Sequence, residues 1–155
     1  MTRKLSVLLL FFVLTAGCSY IGFYTCDRQP NRVHKLGMKL YNYSKEDIGP
    51  EQWEVYERII ELAYTTFYKC AKLTDEIAKI VRHVPIVVSP SANHSDHKHY
   101  LAFTDLQTVF IKKNYFTESN LRHEWIHIVL NKTGKSMLGD PFHRNPLFKK
   151  CEQLP

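Results

Sequence analysis

The residues with the clearest chemical potential are His123, Glu124 and His127, which form an H-E-x-x-H motif. The two histidines are four residues apart, so on a helix both imidazoles leave the same face about one turn apart. This spacing suits two nitrogen ligands of one tetrahedral Zn²⁺ ion. Glu124 follows the first ligand and can act as general base towards a metal-bound water. The motif therefore predicts a metal site with hydrolytic chemistry.

The residues around the motif favour the helix that this geometry requires. Thr117 and Ser119 are candidate N-caps, Glu118 suits a first turn, and Gly134 is a candidate C-terminal stop. An apolar stripe runs through the same segment and consists of Leu121, Trp125, Ile128 and Val129. The alternative interpretation is an amphipathic helix whose two histidines are partly exposed and bind no metal.

A catalytic zinc site needs a third protein ligand and leaves its fourth position for water. After His127 the only histidine is His143, which lies in a Gly- and Pro-rich stretch, residues 139–146. Such a loop can fold back over the helix, so His143 is the predicted third ligand. Asp140 is the alternative, either as a ligand or as a group that orients a ligating ring from behind. Glu152, close to the chain end, is a weaker candidate ligand.

The motif and its distant third histidine resemble the zincin superfamily of zinc metallopeptidases. The metzincin branch has Gly and His where this chain has Leu130 and Thr133, and the thermolysin-like branch uses a downstream helical Glu that this chain lacks. In zincins the strand ahead of the active-site helix borders the cleft. The resemblance therefore implies that a substrate backbone can pair with the edge of the strand before the motif. The alternative is an interior strand with no free edge.

A longer run of residues carries a second resemblance over about the last 40 residues. It is similar to small bacterial lipoproteins with a metallopeptidase domain and, loosely, to SprT-like proteins. The positions that carry it are His123, Glu124, His127, Asp140, His143, Pro146, Phe148 and Cys151.

We therefore expect a zinc-dependent metallopeptidase of the cell envelope with one Zn²⁺ per chain. A metal-bound water, activated by Glu124, would attack a bond of a peptide or protein substrate. The alternative is a non-catalytic envelope lipoprotein in which zinc has a structural role. The small size of the chain favours this alternative, whereas an acid placed beside two ligands favours the enzyme.

The N-terminus is typical of an exported lipoprotein. Residues 1–17 contain two basic residues, a long apolar run and a small-residue cleavage region, as in a signal peptide. Residues 14–18 resemble a bacterial lipobox, which implies acylation of Cys18 and a lipid anchor in the bacterial cell envelope. Ser19 implies sorting to the outer membrane in a diderm host. With an ordinary signal peptide the protein would instead be periplasmic or secreted.

Composition indicates one domain without a nucleic-acid partner. Removal of the signal leaves about 138 residues, enough for one hydrophobic core. The net charge falls from +6 to about +4, which fits contact with anionic lipid or wall polymers. The basic residues are scattered and no nucleic-acid motif is present. Residues 18–43 are predicted to be a tether, and residues 44–155 the zincin-like domain.

The chain has four cysteines: Cys18, Cys26, Cys70 and Cys151. They show no C-x-x-C spacing, which argues against a cysteine zinc site. Export permits disulfides, and we favour a bond between Cys70 and Cys151, which would tie the first long helix to the tail. Such a bond would contribute up to about 4 kcal/mol in the chain-entropy model.

The remaining pattern predicts an α+β fold. Apolar positions at three- and four-residue steps predict a long N-terminal helix over about 50–72, and Thr74 can cap a second helix to 82. Residues 85–88, 101–103 and 108–112 are predicted strands of a short mixed or antiparallel sheet. The polar loop between the first two strands holds His94, His97 and His99, interpreted as solvated residues, with a second metal site as the alternative.

Tyr115, between the last strand and the motif helix, can be interpreted in two ways. It can donate a hydrogen bond to a developing oxyanion, or it can pack against the core.

Overall fold

The structure is a computed structural model that describes residues 29–44, 46–89, 100–152 and 154. Several predictions lie outside the described residues: the signal peptide, the lipidation of Cys18, and the roles of His94, His97 and His99. Residues Asn31–Pro155 form one compact unit. Among the described helices, none has the length and apolar character needed to cross a bilayer.

The fold is mixed α+β, as predicted. A five-stranded sheet has the order β1-β2-β3-β5-β4, in which the three central strands are parallel and the two outer strands are antiparallel to their neighbours. In chain order the elements are β1 (Arg32–Val33), β2 (Lys39–Asn42), α1 (Pro50–Ala71), α2 (Asp75–His83), β3 (Ile86–Ser89), β4 (Ala102–Thr104), β5 (Val109–Lys112) and α3 (Glu118–Lys132). A 3₁₀ turn covers Lys113–Tyr115 and a π-type turn covers Phe148–Glu152.

The predicted tether, residues 18–43, contains two strands of the folded unit. Leu40 in β2 pairs with Ile86 in β3, and both are fully buried, as is Met38. The boundary at residue 44 is therefore corrected to Asn31. β1 has two residues and β2 has four, too few to show the alternating apolar pattern of a strand. β2 is stabilised by pairing with β3, which lies more than forty residues further along the chain.

Helices α1 and α2 begin where their sequences predict. Pro50 occupies the first turn of α1, and the hydroxyl of Thr74 accepts a hydrogen bond from the Ile77 amide at the start of α2. The predicted apolar stripe of α1 is buried except for Cys70, which is partly buried. Its buried members are Trp53, Tyr56, Ile60, Ala63 and Phe67. A disulfide joins Cys70, in the last turn of α1, to Cys151 in the π-type turn, which confirms the predicted pair.

Helix α3 is buried on more sides than its predicted stripe. Thr117, rather than Ser119, caps the helix by accepting from the Asn120 amide, and Gly134 follows its end with a φ of +69°. The buried residues are Leu121, Arg122, Glu124, Trp125, Ile126, Ile128, Val129 and Leu130. The helix contacts α1, α2, β4, β5 and the π-type turn, and between Leu121 and Leu130 only His123 and His127 are not buried.

The strand immediately before α3 is interior. β5 pairs with β3 on one side and β4 on the other, so it offers no free edge. β4 pairs antiparallel with β5 and is the outer strand at this end of the described sheet. The outer edge of the described sheet at this end therefore belongs to β4, not to the strand adjoining the helix.

Candidate metal centre

Three histidines converge where α3 meets the loop that follows it. His123 and His127 lie one turn apart on α3, with their Nε2 atoms 3.2 Å apart. The ring centroid of His143 lies 4.6 Å from that of His123 and 5.1 Å from that of His127. One ring nitrogen from each residue lies within 4.8 Å of the others, close enough for a single metal ion. The structure thus brings together the three predicted ligands.

Hydrogen bonds to the outer ring nitrogens fix the tautomers of the two helical histidines. His127 Nδ1 lies 2.6 Å from the carbonyl oxygen of Gly139, and His123 Nδ1 lies 3.2 Å from Glu152 Oε2. A carbonyl or carboxylate oxygen only accepts, so each Nδ1 carries the proton and donates. Each Nε2 then presents a lone pair to the centre of the cluster.

This arrangement fits a bound cation. Two nitrogen lone pairs 3.2 Å apart repel one another unless a positive charge lies between them. In tetrahedral zinc coordination, two histidine nitrogens are separated by about 3.3 Å. Three neutral imidazoles suit zinc and also copper, iron or nickel, so the donor set by itself indicates a transition metal.

The loop that carries His143 is held by its own hydrogen bonds. Asp140 and His143 both have positive φ, at +62° and +53°. The Asp140 amide donates to Ser136 Oγ, and the Asp140 carboxylate accepts from the Asn145 amide at 2.6 Å. Asp140 lies outside the three-histidine cluster, and the group that orients His127 is the Gly139 carbonyl instead.

Gly139 lets this loop approach α3 closely. A Cβ atom at this position would lie 2.7 Å from the carbonyl oxygen of His127 and 2.7 Å from a methyl carbon of Leu106. The φ of Gly139 is +66°, a region that disfavours side chains. Sequence reasoning read this glycine only as loop punctuation, because the helix backbone beside it is not visible from local spacing.

Glu124 is only 4% exposed and lines the same cleft as the histidines. Burial, reinforced by the negative charge of Glu152, raises the pKa of Glu124 to about 8. A cation bound nearby would lower this pKa again. Burial also lowers the pKa of His123 and His127, which favours the neutral imidazoles that bind metals.

The cleft has a volume of about 490 Å³. β4 forms one wall through Ala102 and Phe103, and the loop after α3 forms another through Leu138 and Pro141. Tyr115 is 42% exposed and is not among the lining residues. The proposed oxyanion role of Tyr115 therefore has no support from its position.

The ring of Phe148 packs against all three imidazoles of the histidine cluster. Its centroid lies 4.6–5.2 Å from those of all three imidazoles, and the side chain is buried. Such an apolar neighbour limits water around the ligands and strengthens electrostatic interactions there. Sequence reasoning used Phe148 only as a position of family resemblance and assigned it no role in the site.

Comparison with protein-family models, curated proteins and solved structures found no match. The three histidines and Glu124 line one cleft, and this geometry indicates what the site can do.

Proposed function

We propose that this chain is a zinc-dependent peptidase of the zincin type. His123, His127 and His143 would hold the ion, and Glu124 would be the general base. The observation that carries the proposal is the close approach of three imidazoles, with the Nε2 atoms of His123 and His127 3.2 Å apart and His143 beside them. The buried carboxylate of Glu124 lines the same cleft. A buried acid beside three neutral imidazoles has a clear task in hydrolysis and none in packing.

When bound, zinc would polarise the scissile carbonyl and lower the pKa of a coordinated water. Glu124 would take the proton of the attacking water on a carboxylate oxygen and pass it to the leaving amine nitrogen. The Gly139 carbonyl and the Glu152 carboxylate would hold the two helical imidazoles in the tautomer that presents Nε2.

The cleft supports a peptide as the substrate. An extended chain can add to the outer edge of β4 through main-chain hydrogen bonds, and this demands no particular side chains. The apolar surface of Phe103, Leu106 and Leu138 along the cleft favours substrates with a bulky apolar side chain near the scissile bond. With the predicted lipid anchor at Cys18, peptides and proteins of the cell envelope are the proposed substrates.

A structural zinc site is the second candidate. The loop carrying His143 contains two non-glycine residues with positive φ, and an ion shared with α3 would hold that loop in place. In this case the protein would be a non-catalytic envelope lipoprotein that binds a partner or supports the envelope.

Metal analysis of the purified full chain tests the site. We expect about one zinc per chain in the wild type and a large loss in His143→Ala. His83→Ala is the matched control, because His83 is an exposed histidine on α2 outside the cluster. Equal zinc contents in all three proteins would refute the proposed ligand set.

Glu124→Gln separates the two candidates. In a peptidase this nearly isosteric change should reduce peptide turnover by a factor of about 10²–10⁴ and leave the zinc content unchanged. The measurement is cleavage of a peptide library, followed by mass spectrometry, for wild type and variant. A zinc-loaded wild type that cleaves no peptide would favour the structural role.

A further inference from the structure

We propose that Glu152 is a positioning residue for His123, and that Cys151 and Arg122 hold it in place from the C-terminal turn. Zinc affinity would then depend on the disulfide between Cys151 and Cys70. This inference rests on the proposed zinc site, and it concerns residues that lie outside the H-E-x-x-H motif.

The contact that carries the inference joins His123 Nδ1 to Glu152 Oε2 at 3.2 Å. A neutral imidazole in water exchanges its proton between the two ring nitrogens, and only the Nδ1–H tautomer offers Nε2 to a metal. The carboxylate selects this tautomer and fixes the ring orientation. Loss of such an outer partner typically weakens metal binding by about 10–100-fold.

Buried hydrogen bonds hold the backbone of Glu152. Its carbonyl oxygen accepts from Arg122 Nη2 at 3.0 Å and from Ser119 Oγ at 3.2 Å. Arg122 Nη2 also donates to the carbonyl of Leu154 at 2.6 Å. The Arg122 side chain is only 2% exposed, and burying a guanidinium is expensive unless it is paired and hydrogen-bonded. Its Nη1 lies 3.3 Å from Glu118 Oε2, and its Nη2 makes the two hydrogen bonds to the carbonyls. Here they attach the chain end to the first turns of α3.

The disulfide attaches the same turn to a second helix. Cys151 is fully buried and immediately precedes Glu152, while Cys70 lies 81 residues earlier in the last turn of α1. A five-residue π-type turn has little stability of its own, because helix formation is unfavourable for so short a segment. The disulfide and Arg122 together therefore determine where the Glu152 carboxylate lies.

The experiment compares the wild-type full chain with Glu152→Gln, Glu152→Asp and the alanine pair Cys70→Ala/Cys151→Ala. Glu54→Gln is the charge-matched control, because Glu54 is an exposed residue on α1 outside the cleft. The first readout is the tautomer of His123 in metal-free protein, from ¹⁵N imidazole shifts. The second is the zinc dissociation constant from competition with a chromophoric chelator.

We expect Glu152→Gln to shift His123 towards a mixture of tautomers while His127 stays Nδ1-protonated, because its partner is the Gly139 carbonyl. Zinc binding should weaken by about 10–100-fold in Glu152→Gln, recover in part in Glu152→Asp, and stay unchanged in Glu54→Gln. The alanine pair should weaken binding comparably. Adding Glu152→Gln to that pair should cause little further loss, since both changes remove the same contact.

Three results would overturn the inference. These are wild-type zinc affinity in Glu152→Gln, wild-type affinity in the alanine pair, and fully multiplicative losses when the changes are combined. If the alanine pair does not fold, the same measurement is made on wild type that has been reduced with a phosphine and desalted under argon. In that protein the disulfide is broken but both sulfur atoms remain, so no cavity is created. Failure of the proposed function looks different, because the wild type itself would then bind no zinc.

Discussion

Gly139 is the residue that permits the loop carrying His143 to approach α3 closely. We predict that Gly139→Ala weakens zinc binding at least tenfold, because the new methyl group would push the loop away from the His127 carbonyl and displace His143. The same change at Gly134, where φ is +69° and an added Cβ would meet no atom within 4 Å, should cost only about 1–2 kcal/mol of stability and leave zinc affinity unchanged.

Zinc titration and urea denaturation of the two glycine variants distinguish these effects. A Gly139→Ala protein that loses no more zinc affinity than Gly134→Ala would show that the close approach of the loop to α3 has no part in metal binding.

His34 makes stability depend on pH at a residue remote from the histidine cluster. Its ring is buried, and Nδ1 accepts a hydrogen bond from the Leu36 amide. Burial lowers the pKa of His34 below 6.5, and the positive charge of Lys35 acts in the same direction. A hydrogen bond to the Glu57 backbone and the negative charges of Glu57 and Glu61 oppose this shift. A lowered folded-state pKa means that the unfolded chain binds the proton first. The stability from neutral His34 is therefore present above pH 6.5 and is lost as the pH falls through the folded-state pKa.

The measurement is the free energy of unfolding from pH 8 to pH 5 for wild type and His34→Gln. Glutamine keeps a hydrogen-bond acceptor but does not titrate, so the variant should show a shallower decline below pH 6.5. Parallel curves for the two proteins would contradict the assignment to His34.

At the residue scale, the sequence predicted the three histidines that lie together but not the groups that contact their outer ring nitrogens. His123, His127 and His143 were predicted because the types of ligand and their order along the chain are local information. Gly139 and Glu152 became partners of those histidines only through the path of the chain after α3. Local sequence patterns do not show where the chain runs after α3, so Glu152 could be considered only as a weak candidate ligand.

At the scale of elements, the N-cap of α3 supports the helix that carries His123 and His127. We predict that Thr117→Ala lowers the free energy of unfolding by about 1 kcal/mol, because the Asn120 amide loses its acceptor. Thr117→Asp should restore most of this loss, since a carboxylate accepts the same bond and favours the positive end of the helix dipole. Urea denaturation gives both values, and an unaffected Thr117→Ala protein would contradict the capping role.

Helices were predicted more accurately than strands, for a physical reason. The apolar stripe of α1 and the caps of α2 and α3 are set by residues within a few positions of one another. β2 instead depends on β3, with all of α1 and α2 between them, so residues 39–42 were assigned to a tether. The same non-local pairing made β4, rather than β5, the outer strand.

At the scale of the whole molecule, the disulfide joins the first long helix to the last turn. We predict that Cys70→Ala/Cys151→Ala lowers the free energy of unfolding by about 4 kcal/mol, since 81 residues separate the cysteines and the unfolded chain gains freedom without the bond. Urea denaturation of the variant and of wild type under non-reducing conditions measures the difference. Cys26→Ala, which leaves this bond intact, is the control, and equal losses in the two proteins would contradict the prediction.

The same bond determines what backbone cleavage would do to the molecule. Cys70 and Cys151 bracket α2, β3, β4, β5 and α3, so a cut anywhere between them leaves two pieces that remain covalently attached. A nicked chain would migrate as a single band until a thiol is added, and would weigh one water more than the intact polypeptide. Self-digestion within that interval would thus go unnoticed on a non-reducing gel.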